Sequence, residues 1–145
     1  MTPLQLLVAR EELARGVKET KGREHNPRIV EYHQATSLKA TDDETPWCAS
    51  FVNWCLQVSG LAGTNSAAAR SFELWGDHVD EAEPGDVVVF KRGTKPWQGH
   101  VGFYEGVEGD KIKVLGGNQG DAVSVASYPI EDLIAVRRPI IQIYA

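Results

Sequence analysis

Apolar positions recur at helical spacing in the first half of the chain and at strand spacing in the second. Three times a capping residue precedes a proline, at Thr2-Pro3, Asn26-Pro27 and Thr45-Pro46, and each pair opens a stretch of helical periodicity. The first predicted helix runs to about Arg15, with Leu4, Leu7 and Val8 on one face and Gly16 past its end. Residues 17–25 are polar and read as loop. A second helix is predicted over 27–34, and a polar connection, 37–44, leads into a third that Gly60 closes. In this third helix Thr45 is the expected N-cap and Pro46 the first helical residue, so Cys48 takes the third position. Phe51, Val52, Cys55 and Ser59 follow it on one face. A shorter fourth helix is predicted over 67–75, capped by Ser66 and ended by Gly76.

After Pro84-Gly85 the texture changes. Asp86-Val87-Val88-Val89-Phe90 is a β-branched run without alternation, as expected of a strand buried on both faces. From His100 to Glu105 the residues alternate, placing His100, Gly102 and Tyr104 on one face and Val101 and Phe103 on the other. Gly102 is expected to let a helix approach closely. Pairing this strand with 111–117 around a Glu108-Gly109 turn sets His100 opposite about Gly117, beside Asn118 and Gln119. Further strands are predicted over 122–127 and 133–138, with Pro129 and Pro139 as boundaries. Helices followed by antiparallel strands define an α+β fold.

The 145 residues suit one domain, 1–145, with no repeat or linker. A formal net charge of −5 without a basic run argues against nucleic acid as a partner. Charged residues at positions 10–12 interrupt any signal-peptide core and no later segment approaches a membrane span, so a soluble chain made in the cytosol, and a monomer, is expected. The two cysteines lie seven residues apart on one helix, roughly 10 Å at about 1.5 Å per residue, beyond disulfide reach. No zinc spacing is present.

Cys48 in the first turn of a helix meets unpaired backbone N–H groups and a positive dipole end, which favour a thiolate and predict a lowered pKa. The alternative is a small buried hydrophobe; Cys55, two turns deeper, is expected to be that. His25, His33 and His78 read as surface residues. His100 starts a strand between glycines, next to an amide pair, and with Cys48 it makes a nucleophile and a base. Asn118 is the best placed group to hold the imidazole in one tautomer, with Gln119 second. Trp47, Trp97, Tyr104 and Gln119 are candidates for lining a substrate cleft, Trp47 and Tyr104 equally for the core. Asp42, Asp43 and Glu44 offer a grip for an amine or calcium, but a solvated loop is the expected reading, with no metal and no cofactor.

Thr45-Pro46-Trp47-Cys48-Ala49-Ser50-Phe51-Val52-Asn53, Pro84-Gly85-Asp86-Val87-Val88-Val89-Phe90, Gly99-His100-Val101-Gly102-Phe103 and Leu115-Gly116-Gly117-Asn118-Gln119 resemble, in order, the blocks of the NlpC/CHAP superfamily of papain-like cell-wall cysteine hydrolases. They are most similar to a branch common in phage lysis proteins. The resemblance implies a papain-like fold, a catalytic pair at Cys48 and His100, and peptidoglycan as partner, cleaved at an amide bond by an endopeptidase or N-acetylmuramoyl-L-alanine amidase. It also implies residence in the host bacterial cytoplasm until release to the wall. Many CHAP members carry a glutamate followed by an asparagine as the third element; here Gly116-Gly117-Asn118 matches only the asparagine. A toxin or deamidase using the same dyad, and a non-catalytic wall-binding module, are the alternatives.

Overall fold

The computed structural model describes residues 1–21, 24–43 and 45–141. Three helices come first: α1 (Leu4–Ala14), α2 (Pro27–His33) and α3 (Cys48–Val58). Six strands follow: β1 (Asp77–His78), β2 (Val87–Lys91), β3 (Gly99–Glu108), β4 (Lys111–Gly116), β5 (Ser124–Pro129) and β6 (Leu133–Arg138). They form one antiparallel sheet in the order β1-β6-β2-β3-β4-β5, so β2 and β3 are central. The α+β architecture is the one the hydrophobic pattern predicts.

One face of the sheet, with Val87, Val89, Val101, Phe103 and Leu115, packs against Leu6, Ile29, Tyr32, Phe51, Val52 and Cys55 from the helices. Val88, Phe90, Ile112 and Val114 cover the other face with Tyr104, Tyr128 and Val136. Alternate residues of β2 thus enter different clusters, which explains why its run lacks polar positions. Each of these large side chains contributes roughly 1.5–3 kcal/mol by leaving water.

Several local expectations change. In α1 the predicted face is turned outward: Leu4 and Leu7 are about half exposed, while Gln5, Leu6, Ala9 and Glu12 are buried. Partners distant in sequence cause the rotation. Gln5 Nε2 donates to the Gly85 carbonyl at 3.1 Å. Glu12 accepts from Arg28 at 2.6 and 2.9 Å and from the Tyr32 hydroxyl at 2.7 Å, which compensates an acid that is 1% exposed. Pro3, rather than Thr2, is the residue before the helix. The predicted fourth helix is only a 3₁₀ turn, Ala69–Phe72, although Ser66 Oγ does accept from the Ala68 N–H. His33 is fully buried, against the expectation of a surface residue, with Nδ1 2.8 Å from Ser50 Oγ.

Cys55 is fully buried, and burial pushes its thiol well above the ordinary value. Cys55→Ala should therefore lower stability by roughly 1 kcal/mol in denaturant titration, the cost of one small buried group, and leave turnover intact. Native-state alkylation faster at Cys55 than at Cys48 would contradict its placement.

Candidate active site

Cys48 begins α3, but two residues nearer the helix start than predicted. Thr45 does not cap the helix, because its N–H and hydroxyl are engaged by Asp42 at 2.6 and 3.1 Å. Trp47 instead occupies the cap position in a non-helical conformation. Its ring is fully buried, lies 5.9 Å from Tyr32 centroid to centroid, and donates from Nε1 to Glu19 at 2.9 Å. Gly117 makes room for it: a Cβ there would lie 2.7 Å from the Trp47 ring and from Phe51. Trp47 is thus a core anchor for the cysteine, and full burial removes it from the candidates for a substrate cleft.

The first intrahelical bond of α3 runs from the Phe51 N–H to the Trp47 carbonyl, which leaves the N–H groups ahead of it without that pattern. The N–H groups of Cys48, Ala49 and Val101 act on the sulfur, and Arg92 adds its charge. These favour the thiolate, yet burial outweighs them. Cys48 is only 7% exposed and its thiol is raised above the ordinary value rather than lowered as the helix-terminus argument predicts.

His100, in β3 opposite Phe90 of β2, is 1% exposed and stacks on Tyr128, with centroids 4.8 Å apart. Val101, whose N–H favours the thiolate form of Cys48, is the next residue. The imidazole Nε2 lies 2.8 Å from Gln119 Oε1, and the amide nitrogen of Gln119 donates to the carbonyls of Val114 at 3.1 Å and Ser124 at 2.7 Å. Those two carbonyls admit only the NH₂ end, so the oxygen must face the ring and Nε2 must carry the proton. Nδ1 is then the basic nitrogen; it is buried and has no hydrogen-bond partner among the described residues.

Gln119, not Asn118, meets the ring. Asn118 adopts a left-handed backbone (φ 58°), as do Gly120 and Asp121, and this tight loop carries the Gln119 side chain back over β4. A Cβ on Gly116 would lie 2.6 Å from Gln119 Oε1, so that glycine is the floor on which the amide rests. The asparagine's side chain makes no hydrogen bond among the described residues. Gly102 serves the same end: its missing side chain faces Val114 and Gly116 across the sheet, not a helix as predicted. A bulge at Glu105 shifts the hairpin register, pairing Phe103 with Leu115 and Glu108 with Lys111.

The segment read as polar loop after α1 ties these parts together. Glu19 donates from its N–H to the Asp121 carbonyl at 2.8 Å, and Thr20 donates to Asp43 at 2.8 Å. Asp43 is fully buried, also accepting from the Asn26 N–H at 2.9 Å and pairing with His25 at 3.1 Å. Burial raises its pKa, but these partners win and hold it below the ordinary range. Asp43 is thus a structural anchor, not a solvated acid, and Glu44 lies outside the described residues. His78 is exposed beside Asp80, as expected.

Of the other cleft candidates, Trp97 is 70% exposed in the loop before β3, with the Lys95 ammonium 5.9 Å from its ring centre. Tyr104 packs in the cluster on the far face of the sheet. A cavity of about 300 Å³ does adjoin His100, lined by Phe90, Lys91, Arg92, Tyr128 and Asp132. Sequence reasoning missed Arg92 and Tyr128, whose only signal was a cation and an aromatic at the ends of strands.

Burial lowers His100 to about 4 and raises the Cys48 thiol, so both groups rest neutral near pH 7. The unfolded imidazole titrates near 6.5, so between 6.5 and about 4 the unfolded chain binds more protons. The stability contribution is fully present above that window and lost as pH falls through it, by up to about 3 kcal/mol. Denaturant midpoints should fall from pH 7 to pH 4, and the slope should flatten in His100→Gln; an unchanged slope in that variant would contradict the assignment.

Helices packed on one face of an antiparallel sheet, with a thiol at a helix start and an imidazole on a central strand, form a papain-like α+β domain. Residues 40–118, just over half of the chain, match the CHAP domain, and the chain belongs to that family. CHAP domains are in general cysteine- and histidine-dependent hydrolases of the peptidoglycan amidase and peptidase type. The matched segment includes Cys48 and His100 and ends one residue before Gln119. No curated protein matches the chain. Among the described residues no helix is long and apolar enough to cross a membrane.

Proposed function

We propose that the protein hydrolyses an amide bond in the peptide part of peptidoglycan, with Cys48 as nucleophile, His100 as general base and acid, and Gln119 as the group that orients the imidazole. The observation that carries this reading is the Gln119 amide, whose two donor bonds fix the tautomer that leaves Nδ1 free to accept a proton. His100 takes the S–H proton at Nδ1 as the sulfur attacks the scissile carbonyl. Proton transfer coupled to attack suits a thiol whose pKa burial has raised. N–H groups at the start of α3 stabilise the oxyanion. Collapse of the tetrahedral adduct forms a thioester at Cys48 and releases the amine, which takes the proton from His100. Water, deprotonated by the same nitrogen, then releases the carboxylic acid and restores the thiol. Trp97 packs on sugar or peptide outside the cleft. The similarity of the four sequence blocks to phage lysis proteins supports a role in opening the host wall from within.

Incubating the purified protein with peptidoglycan and sequencing the released fragments by mass spectrometry tests the reading. New N-terminal amines within the stem or bridge mark an endopeptidase, and a free lactyl carboxylate on muramic acid marks an amidase. Intact peptidoglycan would refute it.

A further inference from the structure

The cavity beside His100 has a charge pattern that the hydrolytic chemistry does not require. Its apolar walls are Phe90 and Tyr128, and its rim holds Lys91, Arg92 and Asp132. Asp132 is matched by Lys91, 3.7 Å away. Arg92 is exposed and forms no ion pair among the described residues, so the rim keeps one net positive charge in a chain whose formal charge is −5. The guanidinium is near enough to Cys48, His100 and Tyr128 to act electrostatically on all three.

An arginine left without a carboxylate partner, at the mouth of a cavity that ends on His100, suits the planar, two-oxygen geometry of a carboxylate. Bound there, the anion replaces the missing acid, while Phe90 and Tyr128 remove water from around the contact and strengthen it. We infer that Arg92 is a specificity-determining residue that binds a free carboxylate of the substrate next to the scissile amide, so that stem peptides bearing a free α-carboxylate are preferred over their carboxamide forms. This rests on the reading of Cys48 as the nucleophile of an amide hydrolase.

Two measurements on the full chain separate this site from that reading. The first compares alkylation of Cys48 by iodoacetate, which carries a carboxylate, with alkylation by neutral iodoacetamide. Thiol reactivity cancels in the ratio of the two rates, leaving recognition of the anion. Arg92→Gln should lower the iodoacetate-to-iodoacetamide ratio by about tenfold, as for loss of one charge-assisted contact, and Arg92→Lys should restore part of it. The second uses peptidoglycan before and after conversion of its carboxylates to carboxamides with carbodiimide and ammonia. The wild-type protein should cleave the untreated wall with about tenfold higher kcat/KM, and Arg92→Gln should erase the difference. An alkylation ratio indifferent to Arg92→Gln overturns the carboxylate site. So does an equal loss on both walls, which would assign Arg92 to the charge on sulfur alone. A ratio that responds while neither wall is cleaved upholds the carboxylate site and refutes peptidoglycan as its substrate.

Discussion

Cys48→Ala is expected to abolish amide hydrolysis while leaving the domain folded. The sulfur forms the covalent bond in the proposed mechanism, and no other thiol is placed to substitute, since Cys55 is fully buried two turns deeper in α3. Rate losses of at least about ten-thousandfold, or about 5.5 kcal/mol of barrier, follow from removing a nucleophile that acts as one unit with its base. Stability should change little, because Trp47, its bond to Glu19 and the Phe51 to Trp47 backbone bond hold the helix start independently of the sulfur. Turnover of purified Cys48→Ala on peptidoglycan, alongside its denaturant midpoint, checks both halves. Residual activity near the wild-type rate would sink the dyad.

Gln119→Leu should be the next most damaging change, lowering kcat by about a hundred- to a thousandfold, or about 3 to 4 kcal/mol of barrier. Leucine fills the space over Gly116 but cannot accept from His100 Nε2, so the imidazole loses the partner that selects its tautomer. The carbonyls of Val114 and Ser124 lose a donor as well, which costs about 1–3 kcal/mol of stability. Expressing kcat per folded molecule separates the two effects. Asn118→Gly should be nearly silent by comparison, since glycine accepts the left-handed backbone there and no side-chain bond is lost. A larger loss from Asn118→Gly than from Gln119→Leu would return the orienting role to the asparagine.

Local signals carried the architecture. The three residue-proline pairs, the apolar face below Cys48 and the alternation after His100 each report on residues a few positions apart, and three helices and a strand form there, although of the three pairs only Asn26-Pro27 caps its helix as predicted. The failures share a different cause. Glu12 and Gln5 are buried because Arg28, Tyr32 and Gly85 lie far along the chain to receive them, which no helical periodicity reveals. Cys48 became the first residue of its helix because a buried tryptophan and an aspartate took over the capping region. Strand register and the family resemblance both point to Asn118, yet left-handed backbone at three of the four positions 118–121 reverses which amide reaches the ring. The thiol pKa departs from expectation for the same reason: helix-end polarity is legible in a sequence, whereas burial is a property of the assembled domain.

The proposed hydrolysis proceeds through an acyl group on Cys48. Acid quenching during steady-state turnover of a peptidoglycan fragment, followed by proteolysis and mass spectrometry, measures it directly. A thioester-linked fragment is expected on the peptide that contains Cys48, removed by neutral hydroxylamine and missing from Cys48→Ala. Turnover that leaves Cys48 unmodified at every quench time, or an acyl group found on Cys55, would contradict it.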